Sequence, residues 1–65
     1  MRRAAAALKA NDRILYKGAD GVMHPATVLA EPEALGAMVA VPADTGGEKP
    51  TTLYFGPGRK VEVTA

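Results

Sequence analysis

The chemistry open to this chain is set by a few short groups of residues. Asp44-Thr45-Gly46 has the residue types of an aspartic-protease triplet, in which two such carboxylates share a proton across a dimer. That chemistry needs an apolar strand before the triplet and chain enough for flaps. Here Pro42-Ala43 precede it in a chain of 65 residues, so it reads as a glycine-rich loop. Gly46-Gly47-Glu48-Lys49-Pro50-Thr51 has the look of a phosphate loop, but such a loop needs a Lys-Ser/Thr pair opening a helix. Pro50 removes that option.

His24 is the one side chain whose ordinary titration falls near neutral pH. With no serine and no cysteine, a nucleophile would have to be threonine, tyrosine, lysine or an acid. A structural role on a strand beside Pro25 is the better account. Glu31 and Glu33 straddle Pro32, a spacing that fixes no carboxylate separation. Arg59-Lys60 near Tyr54 and Phe55 is the best candidate for binding, because cations beside rings can follow a phosphate backbone and stack bases. Its plainer reading is a soluble turn next to a core phenylalanine.

Composition removes further classes. Without cysteine there is no disulfide, no redox pair and no thiolate metal site. One histidine makes a structural zinc improbable on donor chemistry, and neither a metal nor a cofactor is expected. The 48% hydrophobic content is largely alanine and valine, which bury little area each. A domain this small has a thin stability margin, so a protein partner or a homo-oligomer is expected to support it. Net charge is +1, but it is uneven. Residues 1–17 hold five cations against one acid, +4, and the remainder holds three against six, −3.

Those residues need elements to hold them. Alanine-rich residues 1–10 favour helix but offer no apolar face, which predicts an N-terminal arm over 1–11, flexible or briefly helical. A β-barrel domain over 12–65 follows. Ile14-Leu15-Tyr16 and Val22–Ala30 flank Gly18 and Asp20-Gly21, the signal of a hairpin, with Pro25 marking an edge or bulge. Residues 31–36 suggest a helical turn or compact loop, and Ala37–Val41 a short strand stopped by Pro42. A polar loop fills 43–50. Thr51–Phe55 and Lys60–Thr64 complete five strands, the last with Val61 and Val63 turned inward.

The run Met23-His24-Pro25-Ala26-Thr27-Val28 resembles the aromatic-Pro-Ala-x-Val run in the second strand of Tudor-like domains. The resemblance implies an SH3-like barrel over residues 12–64. Tudor modules that read methylated side chains need an aromatic cage. Here a histidine stands at the aromatic position and few other rings exist, so a methyl-lysine reader is not expected. The fold class expected is all-β, a small five-stranded SH3-like barrel or curved sheet.

The function expected is non-enzymatic: a structural or interaction module that packs onto a larger assembly. An accessory, decoration or joining subunit of a multi-subunit particle such as a virion fits that size. The alternative is a small nucleic-acid-binding barrel using its basic arm. The residues expected to meet a partner are Arg2, Arg3, Lys9, Arg13, His24, Pro25, Tyr54, Arg59 and Lys60, with Lys17 joining them for nucleic acid. Arg2-Arg3 and the alanines imitate a signal peptide, but Lys9 ends the apolar run short of the 7–15 residues required. No stretch approaches the ~20 apolar residues of a membrane helix, so no membrane contact and a soluble location, cytoplasmic or within a particle, are expected.

Overall fold

The computed structural model describes residues 1–64; Ala65, the last residue of the expected barrel segment, lies outside them. The chain forms β1 (Arg2–Ala4), a 3-10 turn (Ala5–Ala7), β2 (Arg13–Lys17), β3 (Met23–Val28), β4 (Glu33–Leu35), β5 (Met38–Asp44), β6 (Thr51–Phe55) and β7 (Lys60–Val63). All pairings are antiparallel, in the order β1-β7-β2-β3-β5-β4, with β6 also on β5. The sheet curls into a half-barrel. The all-β curved sheet therefore stands, with seven strands in place of five.

The β2–β3 hairpin forms where the Gly18–Gly21 signal put it. Gly18 N–H donates to the Val22 carbonyl at 2.9 Å, and Gly21 takes a φ of 80° that a side chain would resist. Register runs from Arg13↔Thr27 to Lys17↔Met23. Alternation then turns Ile14, Ala26 and Val28 inward, where they meet Val41, Ala43, Val61 and Val63. Leu53 and Phe55 turn toward the same core, half-buried. Pro25 opposes Leu15 and precedes the point at which β5 joins β3, at Thr27. It tolerates its missing donor there.

Three expectations change. The N-terminal arm is briefly helical, but it is woven into the body rather than hung beside it. β1 pairs with β7 at Arg2↔Glu62, Arg3↔Val61 and Ala4↔Lys60, and Ala5 and Leu8 lie in the core. Asp12 is the fastener: its Oδ2 accepts the Lys9 N–H at 2.9 Å and Arg3 Nη1 at 3.1 Å. The alanines supply too little apolar surface to be recognised as core, and of those in residues 4–10 only Ala5 is buried.

Residues 33–35 are strand, not a helical turn. Leu35↔Met38 closes a two-residue Gly36-Ala37 loop, Gly36 having a φ of 61° as a hairpin turn opening on glycine demands. Pro42 does not stop β5, which continues to Asp44. On one edge of β5, β6 pairs from Val39 to Ala43. On the other, β4 covers Met38–Ala40 and β3 takes over at Ala43. Pro42 falls at that handover, where its carbonyl accepts the Leu29 N–H at 2.9 Å and no donor is required of it.

Candidate functional site

Strand alternation gives the curled sheet two outward faces of different character. On β1, β7, β2 and β3 the outward positions are Arg2, Lys60, Glu62, Arg13, Leu15, Lys17, Met23 and Pro25, fixed by the pairs Arg2↔Glu62, Leu15↔Glu62, Leu15↔Pro25 and Lys17↔Met23. A hollow of about 440 Å³ opens there, lined among others by Arg2, Leu15, Lys17, Met23, Arg59 and Lys60. Glu62 is the acid within it. Its Oε2 accepts the Met1 ammonium at 2.6 Å, and Arg2 Nε stands 3.9 Å from Oε1. The hydrogen bond from that ammonium, ahead of its charge and that of Arg2, holds the Glu62 carboxyl below its ordinary range. Lys17, Arg59 and Lys60 enter no ion pair among the described residues.

The second face belongs to β4, β5 and β6. Leu35 opposes Met38 and Tyr54 opposes Ala40, so these side chains share the solvent side of the strands. Leu35 is 47% exposed, Met38 40% and Tyr54 60%. Glu33 sits on the same face, opposite Ala40. Three large apolar side chains thus stand together in solvent on this face. Leu35 and Met38 were absent from the sequence-derived contact residues; the signal for them was the Gly36-Ala37 pair flanked by two large apolar residues.

The remaining expected residues separate. Arg2, Lys60, Pro25 and Arg59 gather on or beside the basic face, as does Lys17. Tyr54 and Arg59 share a smaller hollow of about 260 Å³. Arg13 lies at the other end of β2, in a hollow of about 420 Å³ that also takes in Pro25, Thr27 and Asp44. Lys9 is exposed beyond the 3-10 turn. Arg3 points inward with Val61 and is engaged by Asp12, which leaves it the least available cation.

His24 is occupied locally. Its Nε2 lies 3.2 Å from both Asp20 carboxylate oxygens, and its ring centroid is 5.7 Å from that of Tyr16. Asp20 Oδ1 also accepts the Val22 N–H at 3.0 Å. That backbone hydrogen bond, followed by the one to His24, lowers the Asp20 carboxyl below its ordinary value. The pair braces the β2–β3 turn. Asp44 does similar work at the end of β5, its Oδ1 accepting the Gly46 N–H at 3.0 Å. No group of three His, Cys, Asp or Glu side chains suited to a metal occurs among the described residues. No helix there is long and apolar enough to cross a membrane.

The fold and its faces define a small curled antiparallel domain with one basic and one apolar outer surface. No protein-family model, curated protein or solved structure matches the chain.

Proposed function

We propose that this chain is a non-enzymatic interaction module that packs onto a larger assembly. The observation that carries the reading is the apolar outer face of β4–β6, where Leu35, Met38 and Tyr54 stand in solvent. Their burial against a neighbour would recover apolar area that the alanine-rich core does not supply, at roughly 25 cal/mol per Å². The main strands run β7-β2-β3-β5-β6, an order that resembles SH3-like modules, with β1 and β4 as additions. Accessory subunits of particles, virion decoration or joining proteins among them, are the class this reading favours.

The test is size fractionation of extract from the native source. Wild-type chain is expected in a high-mass fraction, and folded Leu35→Lys/Tyr54→Lys chain as free monomer. Wild-type chain running as free monomer would overturn the proposal.

A second reading is favoured by the basic hollow, where Lys17, Arg59 and Lys60 stand near Tyr16 and Phe55. That combination suits a small nucleic-acid-binding barrel. It predicts oligonucleotide binding that weakens steeply with salt, as phosphate contacts release counterions. Absence of binding at low salt would remove it.

A further inference from the structure

Some of the charges that enter no ion pair inside the fold gather at two separate places. Arg3 is paired with Asp12 and Glu62 with Arg2 and the Met1 ammonium, while Asp20 is hydrogen-bonded to His24, an ion pair only when that ring is protonated. Among the described residues the acids without an ion pair are Glu31, Glu33, Asp44 and Glu48. Glu31 and Glu33 lie at β4, whereas Asp44, at the far end of β5, shares a hollow with Arg13, and Glu48 lies in the loop between β5 and β6. The cations without an ion pair are Lys9, Arg13, Lys17, Lys49, Arg59 and Lys60, of which Lys17, Arg59 and Lys60 line the basic hollow. In strand order β1 and β7 lie at one end of the sheet and β4 at the other.

Each charged region also carries exposed apolar side chains. Glu33 shares its face with Leu35 and Met38, and Lys17 shares its own with Leu15 and Met23. Leu35 is 47% and Met23 49% exposed. Two surfaces of opposite charge, each with an apolar centre, are complementary. A net charge of +1 leaves little overall repulsion between copies. A nucleic-acid role would use the basic surface and leave the acidic, apolar hairpin unexplained.

We infer that the occupant of the basic face is a second copy of this chain: the β4–β5 hairpin of one copy, with Glu33, Leu35 and Met38, docks head to tail on Lys17, Lys60, Leu15 and Met23 of the next. This rests on the interaction-module reading and names the partner. The two surfaces differ, so the contact is heterologous and each copy leaves one of each free. Such a contact closes into a ring or extends as a filament. About 800 Å² per partner makes a standard interface, and the accessible surface of 4385 Å² accommodates two of them.

The test is sedimentation of the purified full chain at rising concentration, at about 0.01 M and about 1 M salt, where the Debye length falls from about 30 Å to about 3 Å. At low salt the weight-average mass is expected to rise to at least twice the monomer, and to fall back in high salt. Glu33→Lys and Lys17→Glu, each folded by circular dichroism, are each expected to stay monomeric. Mixed in equal amounts they should associate, because every contact in an alternating chain then joins opposite charges. A monomeric wild type at low salt overturns the inference, as does association that either single variant leaves intact or that mixing does not restore. A monomeric wild type that instead binds a DNA oligonucleotide overturns it in favour of a polyanion. If the pure chain stays monomeric while the native extract holds it at high mass, this inference falls and the interaction-module reading stands.

Discussion

Leu8→Ala separates an N-terminal segment that belongs to the core from one that hangs off it. Leu8 is 2% exposed and packs in the cluster built on Ile14, Val28 and Val41, while its N–H donates to the Ala5 carbonyl at 3.3 Å. Truncation removes most of a fully buried leucine side chain and leaves a void, a change that costs about 2–5 kcal/mol. The site lies near a chain end flanked by alanines that can settle inward, so the lower half of that range, about 2–3 kcal/mol, is expected. A domain of this length holds only roughly 3–10 kcal/mol in total. The melting temperature should fall by about 10–20 °C, at about 4–8 °C per kcal/mol for a chain this small. Urea and thermal unfolding followed by far-ultraviolet circular dichroism measure it, with an unchanged m-value showing that the states compared are the same. Lys9→Ala, at an exposed neighbour, serves as control and should stay within about 0.5 kcal/mol. A Leu8→Ala variant as stable as that control would refute the placement of Leu8 in the core.

Two further predictions concern the β2–β3 turn and the acid limb. A Cβ on Gly18 would lie 2.8 Å from His24 Cδ2 and 2.9 Å from Asp20 Oδ1, so Gly18→Ala must push the imidazole aside; both neighbours are exposed side-chain ends, and a small drop in melting temperature is expected. His24→Ala in the same chain should recover part of that loss, and additive effects in the double-mutant cycle would contradict the contact. Asp20 and Glu62 both have carboxyls lowered from ordinary values of 3.8 and 4.5. Their contribution is complete above those values, because the unfolded chain takes up protons first as pH falls, and it is lost as pH drops through the folded-state values. Melting temperature should therefore decline below about pH 4.5, and Glu62→Gln or Asp20→Asn should flatten the decline. Curves parallel to wild type would contradict the two pairings.

The legible parts of the fold were those where one strong local signal agreed with the final packing. The Gly18–Gly21 turn and the Val61/Val63 alternation were readable because period and turn chemistry point the same way. Residues 1–10 were not, since an alanine run has helix propensity and no stripe, while its place is decided by β7 and by Asp12, both distant or ambiguous in sequence. Pro42 misled for a related reason: its missing donor matters only if a neighbour needs it, and that depends on where β3 takes over from β4. Among the residues expected to meet a partner, Arg2, Pro25, Arg59 and Lys60 lie on or beside one face of the curled sheet. The engagement of Arg3 with Asp12 is tertiary and leaves no local signal, and Leu35 and Met38 come together only through the Gly36-Ala37 hairpin.

The central claim is that the β4–β6 face is covered in the working protein. Hydroxyl-radical footprinting of the chain in its native high-mass fraction, compared with the isolated chain diluted to monomer, measures that cover at each side chain. Met38 and Tyr54, 40% and 60% exposed in the isolated chain, should lose most of their modification in the high-mass fraction. Equal modification of Met38 and Tyr54 in the two samples would contradict the account.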